Sequence, residues 1–159
     1  MTMTTATKTK QRTRKAAQPI PEKIVNNAPK LHEDFPVGAV SHQGDLIFVR
    51  IENLPKSAKP RLNQQLADGN TQGSRHILTP HAKAFDCDLA EVQKSIKTAT
   101  KCDVGESLIG PVFVSPDNPS AHDVTHPEHG HQGFEAGAVI ACVYQRNLDA
   151  MQKEQRTRD

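Results

Sequence analysis

The segment 138–146, Ala-Val-Ile-Ala-Cys-Val-Tyr-Gln-Arg, is the most apolar stretch of the chain. A short apolar run rich in β-branched residues is typical of a strand buried in a sheet, so we predict a central strand here. A second strand is predicted for 44–52, Gly-Asp-Leu-Ile-Phe-Val-Arg-Ile-Glu, which opens at a Gly-Asp turn. Alternate residues of a strand point to opposite faces, and we expect the face of Ile47, Val49 and Ile51 to meet the core.

Further short strands and one helix surround these two segments. The additional strands are predicted at 64–67, 75–78, 108–109, 112–114 and 121–125. A helix is predicted for about 88–100, because Asp88 and Glu91 fit a capping box and apolar residues follow at helical spacing. Many short strands with few helices indicate a mainly β fold, either a small β-barrel or a sandwich with one or two short helices.

The chain divides into three predicted parts. Residues 1–36 form a basic, proline-containing flexible arm and linker, 37–150 form the β-rich globular domain, and 151–159 form a helical tail. The helix of this tail is predicted to run over 148–157. Residues 1–19 contain no acid and few apolar side chains, so they cannot bury enough surface to offset the entropy of ordering, and the arm is expected to be disordered or extended.

Composition excludes two classes of protein. Hydrophobic residues make up 35% and charged residues 24% of the chain, and the mean hydropathy is −0.62. No run approaches the ~18 apolar residues of a membrane-spanning helix, so no membrane partner is expected. Three widely spaced cysteines are too few for a disulfide scaffold. The chain also lacks a secretory signal, which favours the cytoplasm.

The net charge of +2 hides a strong asymmetry along the chain. Residues 1–30 carry seven Lys or Arg and one acid, a net of +6, whereas the remaining 129 residues carry thirteen basic and seventeen acidic side chains, a net of −4. The predicted contact residues of the arm are Lys8, Lys10, Arg12, Arg14 and Lys15. Such a segment can neutralise phosphates of nucleic acid or bind an acidic protein surface, without reading base sequence. The alternative is a solubilising tail that has no partner.

Three of the eight histidines lie in the run His-Pro-Glu-His-Gly-His at 126–131. Imidazole is a common ligand of zinc and similar divalent metals. In an extended segment, His129 and His131 would point to the same side. The candidate metal ligands are His76, His126, His129 and His131, with Glu128 as a further donor. The alternative is a solvated loop that binds no metal, because no established zinc motif frames the run.

These features leave three hypotheses for the function. The first is a non-enzymatic binding or structural accessory protein whose basic arm docks on nucleic acid or an acidic partner. The second is a metal-dependent enzyme in which bound water hydrolyses a small substrate and Glu128 acts as general base. The third is a self-assembling coat or filament subunit, a homo-oligomer in which the segment 18–36 lies along a neighbouring copy.

Four short motifs occur in a fixed order: Gln43-Gly44-Asp45, Gly73-Ser74-Arg75-His76, His126-Pro127-Glu128-His129 and Tyr144-Gln145-Arg146. With this order the chain, over 42–150, resembles a loose group of small uncharacterised bacterial and phage-associated proteins. In that group the second motif more often reads Gly-His-x-His, and Ser74 stands here in place of the first histidine. The resemblance implies that His76, His126 and His129 converge, and it adds a phage particle as a second location.

Overall fold

The computed structural model describes residues 28–67, 75–148 and 154–156. The described strands are β1 (Lys30–His32), β2 (Val40–Gln43), β3 (Leu46–Ile51), β4 (Lys59–Pro60), β5 (Gln65–Ala67), β6 (His76–Leu78), β7 (Lys83–Asp86), β8 (Ile109–Val114), β9 (Val124–Thr125), β10 (Gln132–Phe134), β11 (Val139–Tyr144), β12 (Arg146–Leu148) and β13 (Glu154–Arg156). The described helices are α1 (Leu89–Thr100) and a 3₁₀ helix (Glu106–Leu108). Neither of these helices has the length and hydropathy needed to cross a membrane.

Two open sheets make up the described domain. One has six strands in the order β2-β3-β11-β8-β7-β4, and the other has five in the order β1-β10-β9-β6-β5. The mainly β prediction is therefore confirmed. Since neither sheet closes on itself, the architecture is a sandwich rather than a barrel.

Strand β11 lies inside the six-stranded sheet, as predicted for this apolar segment. It pairs antiparallel with β3 on one side, where Ile140 lies opposite Arg50, and with β8 on the other, where Ile140 lies opposite Phe113. Leu108 ends the 3₁₀ helix, and the strands predicted at 108–109 and 112–114 are one strand, β8, which starts at Ile109. Its pairing with β11 shifts register next to Pro111, whose nitrogen cannot donate a ladder hydrogen bond.

Both faces of β3 are buried, which corrects the prediction of one core face. Leu46 and Phe48 point between the sheets into the larger core cluster. Val49 and Ile51 point to the other side of the sheet, where they pack in a second cluster with the buried face of α1. The sequence pattern singled out only the second face, because the first face also carries the charged residue Arg50.

Helix α1 begins and ends close to the predicted residues. The Asp88 side chain accepts a hydrogen bond from the Glu91 backbone N–H at 3.1 Å, so the N-terminal cap is confirmed. The reciprocal half of the capping box is absent. Instead, the Glu91 carboxylate accepts hydrogen bonds from the backbone N–H groups of Lys56 and Ser57, and these bonds lower the pKa of Glu91.

The globular domain begins before residue 37, which corrects the predicted extent of the flexible arm. Strand β1 pairs in parallel with β10, and Phe35 is buried. The His32 ring stacks on Phe134 at a centroid distance of 5.2 Å and lies 5.1 Å from the ring of Phe35. These contacts give residues around β1 enough buried surface to offset their ordering entropy.

His32 makes the domain's stability sensitive to pH. Burial lowers the pKa of His32 below its ordinary value, a hydrogen bond with Gln132 opposes this shift, and the charge of Lys30 adds to it. The unfolded chain therefore takes up a proton on His32 at a higher pH than the folded chain. As the pH falls below about 6.5, this difference lowers the free energy of unfolding. When the pH is lowered from about 7.5 to about 5, the melting temperature of H32Q is expected to fall less than that of the wild type. Parallel losses in the two proteins would contradict this role.

The predicted C-terminal helix is wrong for the residues that the structure describes there. Residues 154–156 form β13, which pairs antiparallel with β12. The remaining residues of the tail lie outside the described ranges. The predicted helix 148–157 carries only two large apolar residues, Leu148 and Met151, so it would have no apolar face to bury. A strand pair instead satisfies the backbone groups of its residues directly.

Candidate functional site

Three histidine rings lie together where the five-stranded sheet meets the 126–131 turn. Strands β6 and β9 pair antiparallel with Ile77 opposite Thr125, which places His76 beside His126. The ring centroid of His126 lies 4.4 Å from that of His76 and 4.4 Å from that of His129, and the outer two rings are 6.4 Å apart. His76 and His126 are fully buried, and His129 is exposed. We call these three residues the histidine cluster.

His126 fixes the turn that follows it. Its Nδ1 accepts hydrogen bonds from the backbone N–H groups of Glu128 and His129, each at 3.1 Å. A nitrogen that accepts hydrogen bonds carries no proton, so the neutral ring carries its proton on Nε2. The ring thus acts as a side-chain cap for two backbone donors of the turn.

Gln43 connects the turn to the opposite sheet. The His76 Nε2 donates to the Gln43 carbonyl oxygen at 2.7 Å, and the Gln43 side-chain amide donates to the carbonyl oxygens of Gly130 at 2.6 Å and Val124 at 3.3 Å. Since β2, which contains Gln43, is the edge strand of the six-stranded sheet, this network ties that edge to the inner strands β6 and β9 of the five-stranded sheet.

His131 lies apart from the histidine cluster, which corrects the prediction that it shares a side with His129. Gly130 has a positive φ of 74°, so the chain turns between the two histidines instead of staying extended. The His131 Nδ1 accepts a hydrogen bond from the His126 backbone N–H at 3.2 Å. Its ring faces His122 at a centroid distance of 5.0 Å.

The histidine cluster fits a metal ion only in part. His76 donates from Nε2 to a carbonyl oxygen. Metal-binding histidines are usually oriented by such a bond from the ring nitrogen that does not bind the metal. His126 is unsuited, because a metal on its Nε2 would require the proton to move to Nδ1, which accepts two backbone bonds. Within residues 28–67 and 75–148, no group of three or more His, Cys, Asp or Glu is placed to hold a metal.

A second candidate site, a polar groove of about 370 Å³, lies at one end of the sandwich. Its walls include Asp45, Arg61, Asn63, Asp86, Cys87 and Tyr144. The groove was not evident from the sequence, because its residues come from five separate segments. The one sequence signal was an isolated arginine after Pro60 in an otherwise polar loop.

Burial raises the pKa of two of the three cysteines, Cys87 and Cys142. All three are free thiols. Burial, with the nearby charges of Glu91 and Asp86, raises the pKa of Cys87 to about 11, so this thiol stays protonated at neutral pH. Cys142 is buried on β11, as predicted for a small core residue.

The predicted contact residues of the arm, from Lys8 to Lys15, lie outside the described residues. The chain enters the domain at β1, the edge strand of the five-stranded sheet.

Comparison with known protein families identifies the domain. A family model described as a domain of unknown function, DUF8820, matches residues 42–142. The chain belongs to the DUF8820 family. The DUF8820 match runs from β2 to β11 and includes the histidine cluster and most of the polar groove. Searches of curated proteins and of solved structures found no match.

Proposed function

We propose that this DUF8820 protein is a small non-enzymatic binding protein whose basic N-terminal arm docks on nucleic acid or on an acidic protein surface. The observation that carries the proposal is the charge split, with a net of +6 in residues 1–30 and −4 in the rest. An acidic body repels phosphates and carboxylates, so attraction to a polyanion has to come from the arm.

The position of β1 supports this proposal. This strand, which follows the arm in sequence, lies at an edge of the five-stranded sheet, so a partner bound just before it in the chain need not disturb the sandwich core. The first described side chains around this edge, at Ala28, Pro29 and Lys30, are exposed. Nucleic acid is the favoured partner, because five cations within eight residues match the dense charge of a phosphate backbone.

Truncation of the arm tests the proposal. A chain that begins at residue 20 is compared with the full chain for binding to a fluorescent DNA duplex and to a poly-glutamate peptide at low salt. The full chain is expected to bind the duplex and the truncated chain to lose that binding, because the contacts are electrostatic. Stronger binding to the peptide would identify an acidic protein partner. Equal duplex binding by both chains would overturn the proposal.

A metal-dependent enzyme is the second candidate function, favoured by the proximity of the three rings of the histidine cluster. The 6.4 Å between the His76 and His129 rings lies within the reach of one shared ion, since zinc–nitrogen bonds are about 2 Å long. Glu128 would act as the general base. His126 would not be a ligand in this geometry, because its Nδ1 accepts two backbone hydrogen bonds.

Elemental analysis separates the two candidates. If the protein is a non-enzymatic binder, purified full-length protein carries less than about a tenth of an equivalent of zinc, and added zinc leaves its melting temperature unchanged. About one equivalent of zinc that is lost in H76A but retained in H81A would establish the second candidate instead. H81A is a suitable control because His81 is exposed and lies outside the histidine cluster.

A further inference from the structure

Strand β1 lies where the edges of the two sheets meet. It is an edge strand of the five-stranded sheet, and β2, which follows it in the chain, is an edge strand of the six-stranded sheet. Strand β1 has three residues and pairs with β10, and the Lys30 N–H donates to the carbonyl oxygen of His131, just before β10, at 2.9 Å. A short edge strand makes few backbone hydrogen bonds, so its side chains have to supply much of the free energy that holds it in place.

His32 is the side chain that joins β1 to both sheets. Its Nε2 lies 3.2 Å from Oε1 of Gln132, on β10, and 3.1 Å from Oγ of Ser41, on β2. The Ser41 hydroxyl donates its proton to the same Oε1 at 2.8 Å. Both neighbours therefore act as acceptors toward His32, and Nε2 carries the proton of the neutral ring. The Gln132 amide donates to the His42 carbonyl at 2.5 Å, which holds Oε1 toward His32.

Phe35 anchors the chain directly after β1. Its ring is 3% exposed, belongs to the core cluster between the sheets, and lies 5.0 Å from the ring of Phe134. The ring of His32, in contrast, is only half-buried and stacks on the outside of this aromatic pair. Strand β1 can therefore leave β10 while Phe35 keeps the rest of the chain attached to the sandwich, since local opening breaks only the contacts of one short element.

The surroundings of the His32 ring oppose a positive charge. The side chains that contact the ring carry no charge: Phe35, Ser41, Gln132 and Phe134. The titratable residues on the elements around it are Lys30, Glu33, Asp34, His42, His131 and Glu135. None of these makes a side-chain hydrogen bond to His32 within the described residues, and Glu33 and Asp34 are exposed, so water screens their charge. Burial therefore lowers the pKa of His32 despite the bond to Gln132, and the charge of Lys30 lowers it further.

We propose that β1 is a pH-sensitive latch, which detaches from β10 when His32 is protonated while the rest of the sandwich stays folded. In the detached state the imidazolium is solvated by water, so each added proton favours that state. Detachment moves the point at which the chain leaves the body from Lys30 to Phe35, about 17 Å along an extended chain. It also uncovers the backbone edge of β10. The inference does not depend on what the basic arm binds.

Native-state hydrogen exchange of the full chain tests the inference. The probe is the Lys30 amide, because its bond to the His131 carbonyl is lost on detachment, and the amides of β11 report global unfolding. At pH 7.5 we expect the Lys30 amide to open with a lower free energy than the β11 amides. Between pH 7.5 and 5.5 its opening constant, corrected for the intrinsic exchange rate, is expected to rise about three- to tenfold, as a solvated histidine becomes protonated.

Two variants assign the effect to one ring. H32Q keeps an N–H donor but cannot titrate, so its opening constant at Lys30 is expected to stay constant over this pH range. The matched control is H42Q, because His42 is exposed on the opposite face of β2 from Ser41, and this variant is expected to behave like the wild type. Equal opening free energies for Lys30 and β11 in the wild type would show that β1 leaves only when the whole domain unfolds. That result, a wild-type opening constant that does not change with pH, or the same rise in H32Q would overturn the inference.

Discussion

Replacement of Lys8, Lys10, Arg12, Arg14 and Lys15 by glutamine is expected to lower the affinity for duplex DNA at least about a hundredfold at roughly 50 mM salt. Each of these cations that neutralises a phosphate releases condensed counterions, and this release supplies nearly all of the free energy of binding without sequence specificity. The five-site variant keeps the length of the arm and every residue of the described domain. Fluorescence anisotropy with a labelled duplex measures the effect.

A matched variant separates the position of the charges from their number. Five exposed lysines of the domain serve as the control: Lys56, Lys59, Lys83, Lys94 and Lys101. Their replacement by glutamine removes the same charge from the body and is expected to change duplex affinity less than about tenfold, through long-range attraction alone. Equal losses in the two variants would mean that the net charge of the protein, rather than the arm, determines binding.

The H126A substitution is expected to lower the free energy of unfolding by about 2–4 kcal/mol. It removes a fully buried ring and leaves the backbone N–H groups of Glu128 and His129 without their acceptor. Each of these partly buried hydrogen bonds contributes about 0.5–1.5 kcal/mol, and the lost packing of the buried ring adds to this cost. Such a loss is a large fraction of the total stability of a domain of this size. Urea unfolding of metal-free protein measures it.

Two variants show whether the lost acceptor is the cause. H126N retains an acceptor oxygen near the position of Nδ1 and is expected to recover at least half of the loss. H129A removes the exposed ring of the histidine cluster and is expected to cost less than about 1 kcal/mol. If H126N were as unstable as H126A, buried volume rather than hydrogen bonding would explain the effect. If H126A were as stable as the wild type, the capping role of His126 would be wrong.

The elements that the sequence predicted well are those whose signal is local. The apolar run of β11 and the cap and spacing of α1 are visible within one short segment, and both elements lie where they were expected. Fold class followed from the number of short strands. A barrel closes only when the first and last strands of its sheet pair with each other. The sequence does not show such a pairing, so the choice of sandwich over barrel required the structure.

The parts that failed depend on contacts between distant segments. Burial of both faces of β3 requires distant partners, because α1 covers Val49 and Ile51 whereas strands of the five-stranded sheet cover Leu46 and Phe48. Strand β1 falls in a proline-rich segment, and its partner β10 is about one hundred residues away. The C-terminal tail lacks an apolar stripe, so its sequence carried no signal to distinguish a helix from the strand pair that forms there.

The candidate sites show the same limit. The convergence of His76 with His126 follows from the pairing of β6 with β9, whereas the separation of His129 from His131 follows from a single positive φ at Gly130. The roles of the ring nitrogens depend on backbone partners that no spacing rule specifies. Arg61, which follows β4, meets Asp86 at the end of β7 because these two strands pair. That pairing was not visible in the sequence.

The dependence of duplex affinity on salt tests most directly whether the basic arm is the docking element. For the full chain, a plot of the logarithm of the binding constant against the logarithm of salt concentration is expected to have a slope of about −4 to −5, since about five cations contact phosphates. For the chain that begins at residue 20, binding is expected to be weak and the slope close to zero. A truncated chain with the same steep slope and the same affinity as the full chain would contradict the account.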